Sequence, residues 1–391
     1  MVEMQFAAAG DERTATRRPA RAEPADRKPI LVAVEASRLE AERRGIGRYV
    51  RALLPRLLEQ RPELRLRLFV KPRHVEMIER RYAENPETRD RVEVVSLRKL
   101  RRTSADLFWY PWNTVTPLPG HGAVVTTIHD VAPLVLPDPR FLRWRKNYRW
   151  RVRYAETARR STLVIADSAF TAAEVHRMLG YPRDRMRVVL LAADDFPVPP
   201  ADQDEEALLR LGVQRPFVLA VGAADPRKNL GLLQRAMPQV IAAHPKLKLV
   251  LAGPRRDDGD DPARPWEKTL GFVREDELAA LYRSAEVLVM PSTYEGFGLP
   301  MLEAMRLGTP VIGADASSLP EVGGSAARWV DPHDVAQLAT EIRRVLGDTG
   351  VRSAMCAASI AQASRFSWDE TARQTLHAFD DAMALHAQQG R

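Results

Sequence analysis

Two carboxylates, two glycines and a proline fall within ten residues of this chain, Tyr294-Glu295-Gly296-Phe297-Gly298-Leu299-Pro300-Met301-Leu302-Glu303. An apolar run at 287–290 precedes them and predicts a strand, and the proline suits the first turn of a helix that ends at Gly308. The free N–H groups of such a helix start, with the glycine backbone, form a site for an anion such as a diphosphate. Glu295 and Glu303 can then accept hydrogen bonds from sugar hydroxyls beside that anion. The segment therefore predicts a phosphate-binding loop.

The elements that position this loop recur as a short apolar run, a glycine or polar turn and an amphipathic helix. Predicted strands of the first half lie at 30–34, 66–70, 92–95, 107–110, 124–128, 163–166 and 188–191. Those of the second half lie at 217–221, 247–251, 269–272, 287–290, 311–312 and 328–330. Strands that alternate with helices predict an α/β fold of two Rossmann-like, doubly wound parallel-sheet domains. Ligands bind outside the carboxyl ends of such strands, so we expect the site in a central cleft between the domains.

A proline-rich polar stretch at 197–204 interrupts this alternation, and 391 residues are many for one domain. The predicted divisions are a disordered leader at 1–28, a first domain at 29–196, a linker at 197–206, a second domain at 207–366 and a C-terminal helix at 367–391. Ser367 is the expected N-cap of that helix, with Glu370 as its capping-box partner. Packing of this helix back on the first domain is one of its expected positions.

Composition limits the cellular setting. With 45% hydrophobic and 28% charged residues, and no run of about 18 apolar residues, the sequence is typical of a globular protein without a transmembrane helix. The apolar patch at 6–9 is too short for a signal-peptide core. The single cysteine, Cys356, excludes an internal disulfide and fits a reducing compartment. We therefore expect a cytoplasmic protein.

The net charge of +8 is concentrated at 140–160, which holds nine basic residues, one acid and five aromatic residues. As a helix, this segment aligns Phe141, Trp144, Tyr148 and Val152 along one stripe between arginines. That pattern is typical of a helix on an anionic membrane surface, with expected contacts from Arg143, Trp144, Arg145, Tyr148, Arg149 and Arg151. The alternative is a stripe that packs on its own domain while the arginines face solvent. We expect no nucleic-acid partner.

Seven separated motifs occur in an order that resembles the GT-B retaining glycosyltransferases of family 4, from residue 30 onward. The motifs are Gly45-Ile46-Gly47-Arg48-Tyr49, His129-Asp130, Asp167-Ser168, Val221-Gly222 with Pro226-Arg227-Lys228-Asn229, Ala252-Gly253, Leu270-Gly271-Phe272-Val273, and Pro291-Ser292 with the loop from Glu295. The first and fourth motifs look most like the bacterial mannosyltransferase branch. One such motif alone is weak evidence, whereas seven in order are specific.

The resemblance implies a nucleotide diphosphate sugar as donor substrate and no separate cofactor. Lys228 and Arg227 stand where the family has its phosphate clamp, Glu303 where a glutamate holds the ribose, and Glu295 where one lies near the donor sugar. The chain departs from the commoner pattern at Ala223, where the family has an arginine, so either Arg227 supplies the missing charge or one contact is absent. The alternative, two cations on a surface helix start, opposes the helix dipole unless an anion is bound.

Other positions take their roles from the same resemblance. His129 ends a predicted first-domain strand and is expected to touch the donor sugar, with Asp130 beside it on the acceptor side. Phe272 and Val273 are expected to bracket the nucleobase, with core packing as the alternative. The remaining expected donor contacts, made by backbone or close approach, are at Gly45, Gly47, Gly222, Phe297, Gly298 and Leu299. For Gly45 and Gly47 a tight turn is the second interpretation.

The reaction that this resemblance implies is transfer of mannose from GDP-mannose, with retention, to a lipid-linked or polysaccharide acceptor at the inner membrane face. Front-face attack is favoured, and a covalent intermediate on Glu295 is the alternative. Asp258, Asp260 and Asp261 fall in a polar loop and not in an Asp-x-Asp motif after a strand, so we expect no metal requirement. Other donors (UDP-glucose, GDP- or dTDP-rhamnose), a nucleotide-sugar epimerase and a nonenzymatic membrane-binding protein are the alternatives.

Overall fold

Two parallel sheets, whose strands alternate with helices, form the molecule. The computed structural model describes residues 28–42, 45–86, 88–136, 144–222, 225–253 and 264–390. Within these ranges one sheet has seven strands and the other six, and neighbouring strands pair in parallel. The predicted α/β class with two doubly wound domains is confirmed.

The first sheet consists of β1 (Ile30–Glu35), β2 (Leu64–Val70), β3 (Val92–Ser96), β4 (Ser104–Tyr110), β5 (His121–Ile128), β6 (Leu163–Ala166) and β7 (Met186–Val188). Its spatial order is β3-β2-β1-β4-β5-β6-β7. The helices between these strands are α1 (Ile46–Gln60), α2 (Val75–Ala83), α3 (Ala132–Val135), α4 (Trp144–Arg160) and α5 (Ala169–Leu179). The strand order reverses between β1 and β4, where doubly wound sheets open a ligand-binding crevice.

The second sheet repeats this plan with β8 (Phe217–Val221), β9 (Lys248–Ala252), β10 (Glu267–Thr269), β11 (Val287–Met290), β12 (Val311–Ala314) and β13 (Arg328–Val330), in the order β10-β9-β8-β11-β12-β13. Its helices are α6 (Asp204–Leu211), α7 (Leu230–Ala243), α8 (Glu275–Ser284), α9 (Leu299–Arg306), α10 (Leu319–Gly323), α11 (Val335–Gly347) and α12 (Thr349–Ala363). The reversal here lies between β8 and β11, next to the phosphate-loop sequence.

Central strands were the easiest to predict because helices cover both of their faces. Every residue of β6 and β11 is buried, so each strand is a continuous apolar run. The predicted bounds of two edge strands, β7 and β10, differ from those in the structure. The run at 188–191 is strand only at Val188, because β6 ends at Ala166, whose carbonyl accepts a last hydrogen bond from the Val189 N–H at 2.9 Å. The run at 269–272 is strand only to Thr269, because the left-handed Gly271 (φ +69°) turns the chain away.

The last helix of the chain, α13 (Trp368–Gln389), packs on the first domain, against α1 and the first sheet. The Phe379 ring meets the Trp109 ring edge-to-face at 5.7 Å between centroids. Ser367 caps the helix by accepting a hydrogen bond from the Glu370 N–H. The other half of the predicted capping box is wrong, because the Glu370 carboxylate contacts Arg373 and Gln374 instead.

None of the helices in the described part of the chain is both long and apolar enough to cross a membrane. The leader predicted at 1–28 lies outside the described residues except for Lys28. The polar loop that contains Asp258, Asp260 and Asp261 also lies outside them.

Candidate active site

The phosphate-loop sequence forms the turn between β11 and α9, at the carboxyl end of the second sheet. Gly298 takes a left-handed conformation (φ +109°) and leads into α9, with Pro300 in the first turn. The Glu295 N–H donates to Ser317 Oγ at 3.0 Å, and the Ser318 hydroxyl contacts the carbonyls of Glu295 and Phe297 at 3.0 and 2.9 Å. Two serines before α10 therefore hold the loop backbone while its helix start stays available to an anion.

Lys228 lies opposite this loop and contacts Glu295 directly. Its Nζ donates to Glu295 Oε1 at 2.7 Å, and both side chains are mostly buried. A lysine ammonium has three donors, so this contact leaves two for phosphate oxygens. Gly222, at the end of β8, makes room for the lysine, since a Cβ there would lie 2.8 Å from Lys228 Cε. The backbone of Gly222 is left-handed as well, with φ +94°.

Arg227 is held by carboxylates from both domains. Its Nη2 donates to Asp225 Oδ2 at 2.7 Å, and its Nη1 lies 3.4 Å from Asp130 Oδ2 in the first domain. Burial raises the pKa of Asp225, but the hydrogen bonds from Arg227 outweigh it and hold that pKa below the ordinary value. Asp130, expected on the acceptor side, thus lies against the predicted clamp. The Arg227 charge is largely compensated, which makes Lys228 the stronger candidate for phosphate.

Glu303, on α9, is a buried carboxylate with two partners. Arg48 Nη1 donates to its Oε1 at 2.6 Å, and the Tyr282 hydroxyl donates to its Oε2 at 3.1 Å. Burial raises the pKa of Glu303, and the Arg48 charge and the Tyr282 hydrogen bond oppose that rise. An ionised carboxylate offers about four lone-pair sites, so about two remain for vicinal hydroxyls.

His129 follows β5, as expected, but its ring points into the first domain. Nδ1 contacts Asp167 Oδ2 at 2.5 Å, and Nε2 contacts the Pro111 carbonyl at 2.9 Å. Burial favours the neutral ring, but Asp167 and the Pro111 carbonyl outweigh it and raise the pKa of His129. An imidazolium that donates from both nitrogens satisfies both contacts. The predicted contact between His129 and the donor sugar would require the ring to release one of these two partners.

The two domains meet closely around the loop. A Cβ on Gly296 would lie 1.8 Å from the His129 carbonyl oxygen, so only glycine allows this approach. The Gly296 carbonyl accepts hydrogen bonds from the hydroxyls of Ser168 and Thr171, at 2.7 and 3.1 Å. Glu321, after the loop, accepts a hydrogen bond from the Ala169 N–H at the start of α5 at 2.8 Å. The loop is therefore positioned by the first domain as well as by the second.

The other predicted donor contacts divide by exposure. Phe272 is 78% exposed, whereas Val273 is buried in the core, so the two residues do not present equivalent side chains to a base. Phe297 is buried against Phe366 and offers only its backbone to the cleft. Leu299, partly buried, begins α9.

Gly45 and Gly47 belong to the turn before α1. Gly45 takes φ +55°. A Cβ on Gly47 would lie 1.5 Å from the Glu42 carbonyl oxygen. The requirement for glycine at Gly47 therefore comes from the turn itself.

Residues 144–160 of the basic aromatic segment form α4, and the part of the predicted stripe that the structure describes, Tyr148 and Val152, does not pack on its own domain. Tyr148 and Val152 are 63% and 48% exposed, so that interpretation is wrong for these two residues. The side chains of Arg145, Arg149 and Arg151 are exposed beside them. The buried face of the helix is formed by Tyr154 and Thr157 instead. Arg143 and Phe141 lie outside the described residues, as does the side chain of Trp144.

Sequence reasoning missed several residues of the site. Arg48 and Tyr282 hold Glu303, and Gly296, Ser168 and Glu321 join the domains. Three of these positions, Arg48, Ser168 and Gly296, fall inside recognised motifs, which was the available signal. Tyr282 lies on an amphipathic helix and has no local pattern that separates it from a core tyrosine.

Two Rossmann-like domains face each other across a site built from a lysine, a glycine-rich helix start and two buried carboxylates. This arrangement defines the class as a two-domain GT-B protein with an anion-binding helix start in its cleft.

Comparisons with known proteins identify the family. A family profile described as Glycosyltransferase Family 4 matches residues 43–195, and one described as Glycosyl transferases group 1 matches residues 215–348. O-antigen chain mannosyltransferase B of Escherichia coli is 34% identical over 271 residues, 65% of this chain and 69% of that protein. This chain belongs to the family 4 (group 1) glycosyltransferases.

Two further comparisons define the extent of the similarity. Serotype-specific mannosyltransferase WbdA of Escherichia coli is 31% identical over 291 residues, 69% of this chain but 33% of WbdA, so this chain spans about a third of that relative. The crystal structure of Anabaena HepE in complex with UDP-glucose superposes with a TM-score of 0.68 at 18% identity, over 90% of this chain and 100% of that one. The structural likeness establishes the GT-B fold.

Proposed function

We propose that this glycosyltransferase moves mannose from GDP-mannose to a lipid-linked or polysaccharide acceptor in bacterial glycan synthesis, with retention of anomeric configuration. The observation that supports mannose is the 34% identity to O-antigen chain mannosyltransferase B over 271 residues. That span, 65% of this chain, is longer than either domain alone, so the similarity enters both domains.

Lys228 and the start of α9 are the groups that we assign to the donor diphosphate. Breaking the sugar–phosphate bond leaves negative charge on the departing diphosphate, and preorganised donors that face this charge lower the barrier. Lys228 is mostly buried, with Nζ 2.7 Å from the loop carboxylate of Glu295, so it is aimed at the loop before substrate arrives. Because a fixed ammonium supplies this charge, we propose that transfer needs no metal ion, and full activity in excess chelator is the expected result.

The two loop glutamates receive separate roles. Glu303 binds the ribose hydroxyls through the lone pairs that Arg48 and Tyr282 leave available. Glu295 lies near the donor sugar, where its Oε1 accepts a hydrogen bond from Lys228 Nζ at 2.7 Å. We further propose that the acceptor attacks from the face of the departing phosphate, which takes the acceptor proton, while His129 and Asp130 border the sugar from the first domain.

Binding of a nucleotide panel tests the donor assignment directly. Calorimetric titration with GDP, UDP and dTDP is expected to give the tightest binding for GDP, and incubation with GDP-mannose and an acceptor is expected to release GDP. UDP binding more tightly than GDP would overturn the choice of base. Analysis of the product anomer by NMR tests retention, since an inverted linkage contradicts it.

A different donor within the same class is the second candidate. The fold neighbour Anabaena HepE is recorded in complex with UDP-glucose, so the GT-B fold itself does not select guanine. A nucleotide-sugar epimerase is the third candidate. Incubation of the nucleotide sugar without acceptor distinguishes it, because only an epimerase converts the donor into a different nucleotide sugar under that condition.

We also propose that α4 contacts an anionic membrane surface, where a lipid-linked acceptor resides. Tyr148 and Val152 are exposed on this helix, and the arginines at 145, 149 and 151 are exposed beside them. An apolar patch between cations is the arrangement that binds anionic interfaces. The exposure and the charge of this face support the proposal.

Vesicle sedimentation tests this surface. Replacing Arg145, Arg149 and Arg151 together by Gln is expected to abolish binding to vesicles that contain anionic phospholipid. The matched control replaces Arg159 and Arg160, which lie on the same helix and pair with Glu156, and is expected to bind as the wild type does. Unchanged sedimentation of the first variant would remove the membrane proposal.

A further inference from the structure

Arg48 stands in the first turn of α1, and its guanidinium contacts partners in two directions. Nη1 donates to Glu303 Oε1 at 2.6 Å, across the cleft. Nε donates to Asp195 Oδ1 at 3.1 Å, and Nη2 donates to the same oxygen. The guanidinium also lies over the Phe196 ring, 5.1 Å from its centroid. The residue is only 8% exposed, so these contacts hold a charge inside the protein.

These contacts close into a ring of interactions through the last residues of the first domain. The Phe196 ring meets the Tyr282 ring edge-to-face at 5.8 Å between centroids. The Tyr282 hydroxyl then donates to Glu303 Oε2 at 3.1 Å, which completes the path back to Arg48. Trp368, at the start of α13, donates from Nε1 to Asp195 Oδ1 at 2.6 Å. Glu303 is thus held by a network that includes both domains and the start of α13.

The positive charge of Arg48 affects the pKa of Glu303. Burial raises the pKa of Glu303, Arg48 and Tyr282 lower it, and the neighbouring carboxylates of Glu275 and Asp195 raise it. Arg48 is the only cation among the groups named there, so its removal shifts the Glu303 pKa further upward. A protonated Glu303 loses acceptor sites, and its affinity for neutral hydroxyls falls.

We propose that Arg48 is a positioning residue that keeps the Glu303 carboxylate ionised and oriented for the donor ribose when the two domains are closed. The inference rests on the proposed ribose role of Glu303. Because Arg48 lies on α1 and Glu303 on α9, separation of the domains breaks this contact. A nucleotide that binds Glu303 more tightly in the closed state therefore favours closure.

The test is the preference for ribose over 2′-deoxyribose as a function of pH. Calorimetric titration gives the ratio of Kd values for 2′-deoxy-GDP and GDP, and the same pair of uracil nucleotides replaces them if UDP binds more tightly. The ratio cancels protonation of the terminal phosphate, since both nucleotides carry it. For the wild type we expect a marked ribose preference that is flat from pH about 6 to about 8.

Arg48→Gln is expected to lose roughly tenfold of that preference at the acid end. As the pH rises through the higher Glu303 pKa, the carboxylate ionises and part of the preference returns. In Glu303→Gln the preference is low at every pH, and adding Arg48→Gln to it is expected to cost no further preference, because Arg48 acts through Glu303. The matched control is Arg56→Gln, on the same helix, whose partner is Asp369 and whose variant is expected to match the wild type.

The outcomes separate the two proposals. A wild-type protein that binds GDP without any ribose preference contradicts the ribose role of Glu303. A wild-type preference that Arg48→Gln retains at every pH overturns the role of Arg48. If Arg48→Gln fails to fold by circular dichroism, Arg48→Lys decides. It keeps a cation but cannot bridge two carboxylates in the same way, so we expect a flat profile at reduced preference, and an undiminished preference overturns the inference.

Discussion

Lys228 is the residue that we expect to contact the bound diphosphate with its positive charge. Its Nζ contacts Glu295 at 2.7 Å and has two further donors for phosphate. We predict that Lys228→Met lowers kcat/KM by about 10²- to 10³-fold, the loss that follows removal of one transition-state donor. Lys246→Met is the control, since Lys246 is exposed on a turn away from the loop. Steady-state kinetics with the preferred donor measures both variants, and equal values for the two would contradict the clamp.

The roles of the site residues could be predicted from the sequence where the residues that act together lie close in the chain. Glu295 and Glu303 stand beside the glycines that form their loop, so the pattern itself indicated hydroxyl-binding carboxylates. The partner of Glu303 was not readable, because Arg48 lies 255 positions away. Such a pair depends on how the two domains are placed, which no local periodicity records. The same reason hid the Asp130 contact with Arg227, 97 positions apart.

At the scale of elements, the apolar runs identified the buried strands and failed at the sheet ends. In the run at 188–191, for example, Val189 and Leu191 are buried although the strand ends at Val188, because burial and strand pairing are separate requirements. Exposure of α4 was likewise undetermined, since an amphipathic pattern states which face is apolar and not what covers it. The covering partner is decided by the neighbouring elements.

The loop between β11 and α9 can keep its position in the cleft only if Gly296 lies directly against the first domain. A Cβ at this position would lie 1.8 Å from the His129 carbonyl oxygen, which no small adjustment relieves. We predict that Gly296→Ala holds the domains apart and lowers kcat by about 100-fold or more, while GDP still binds the second domain. Kinetics and calorimetry separate these two effects.

The control for this variant is Gly347→Ala. A Cβ there meets no atom within 4 Å, so the added methyl group has room at the end of α11. Wild-type turnover is expected. Normal turnover by Gly296→Ala as well would show that the close approach is not needed for the reaction.

The whole molecule is joined by the return of α13 to the first domain. Trp368 is fully buried beside Tyr49, with ring centroids 6.1 Å apart, and its backbone N–H donates to Asp194 at 2.9 Å in the segment after the first sheet. α13 therefore forms part of the core of the first domain. A change at Trp368 should consequently loosen the first domain although the residue follows the second in sequence.

We predict that Trp368→Ala lowers the free energy of unfolding by about 3–5 kcal/mol, because it leaves a large cavity and removes the Nε1 hydrogen bond to Asp195. Leu209→Ala, at a position that is 79% exposed, should change it by less than about 0.5 kcal/mol. Urea unfolding followed by circular dichroism measures both. If α13 were a detachable tail, the two variants would have the same midpoint. A large loss in Trp368→Ala, with the first domain unfolding earliest in hydrogen exchange, would place the helix in the core of that domain.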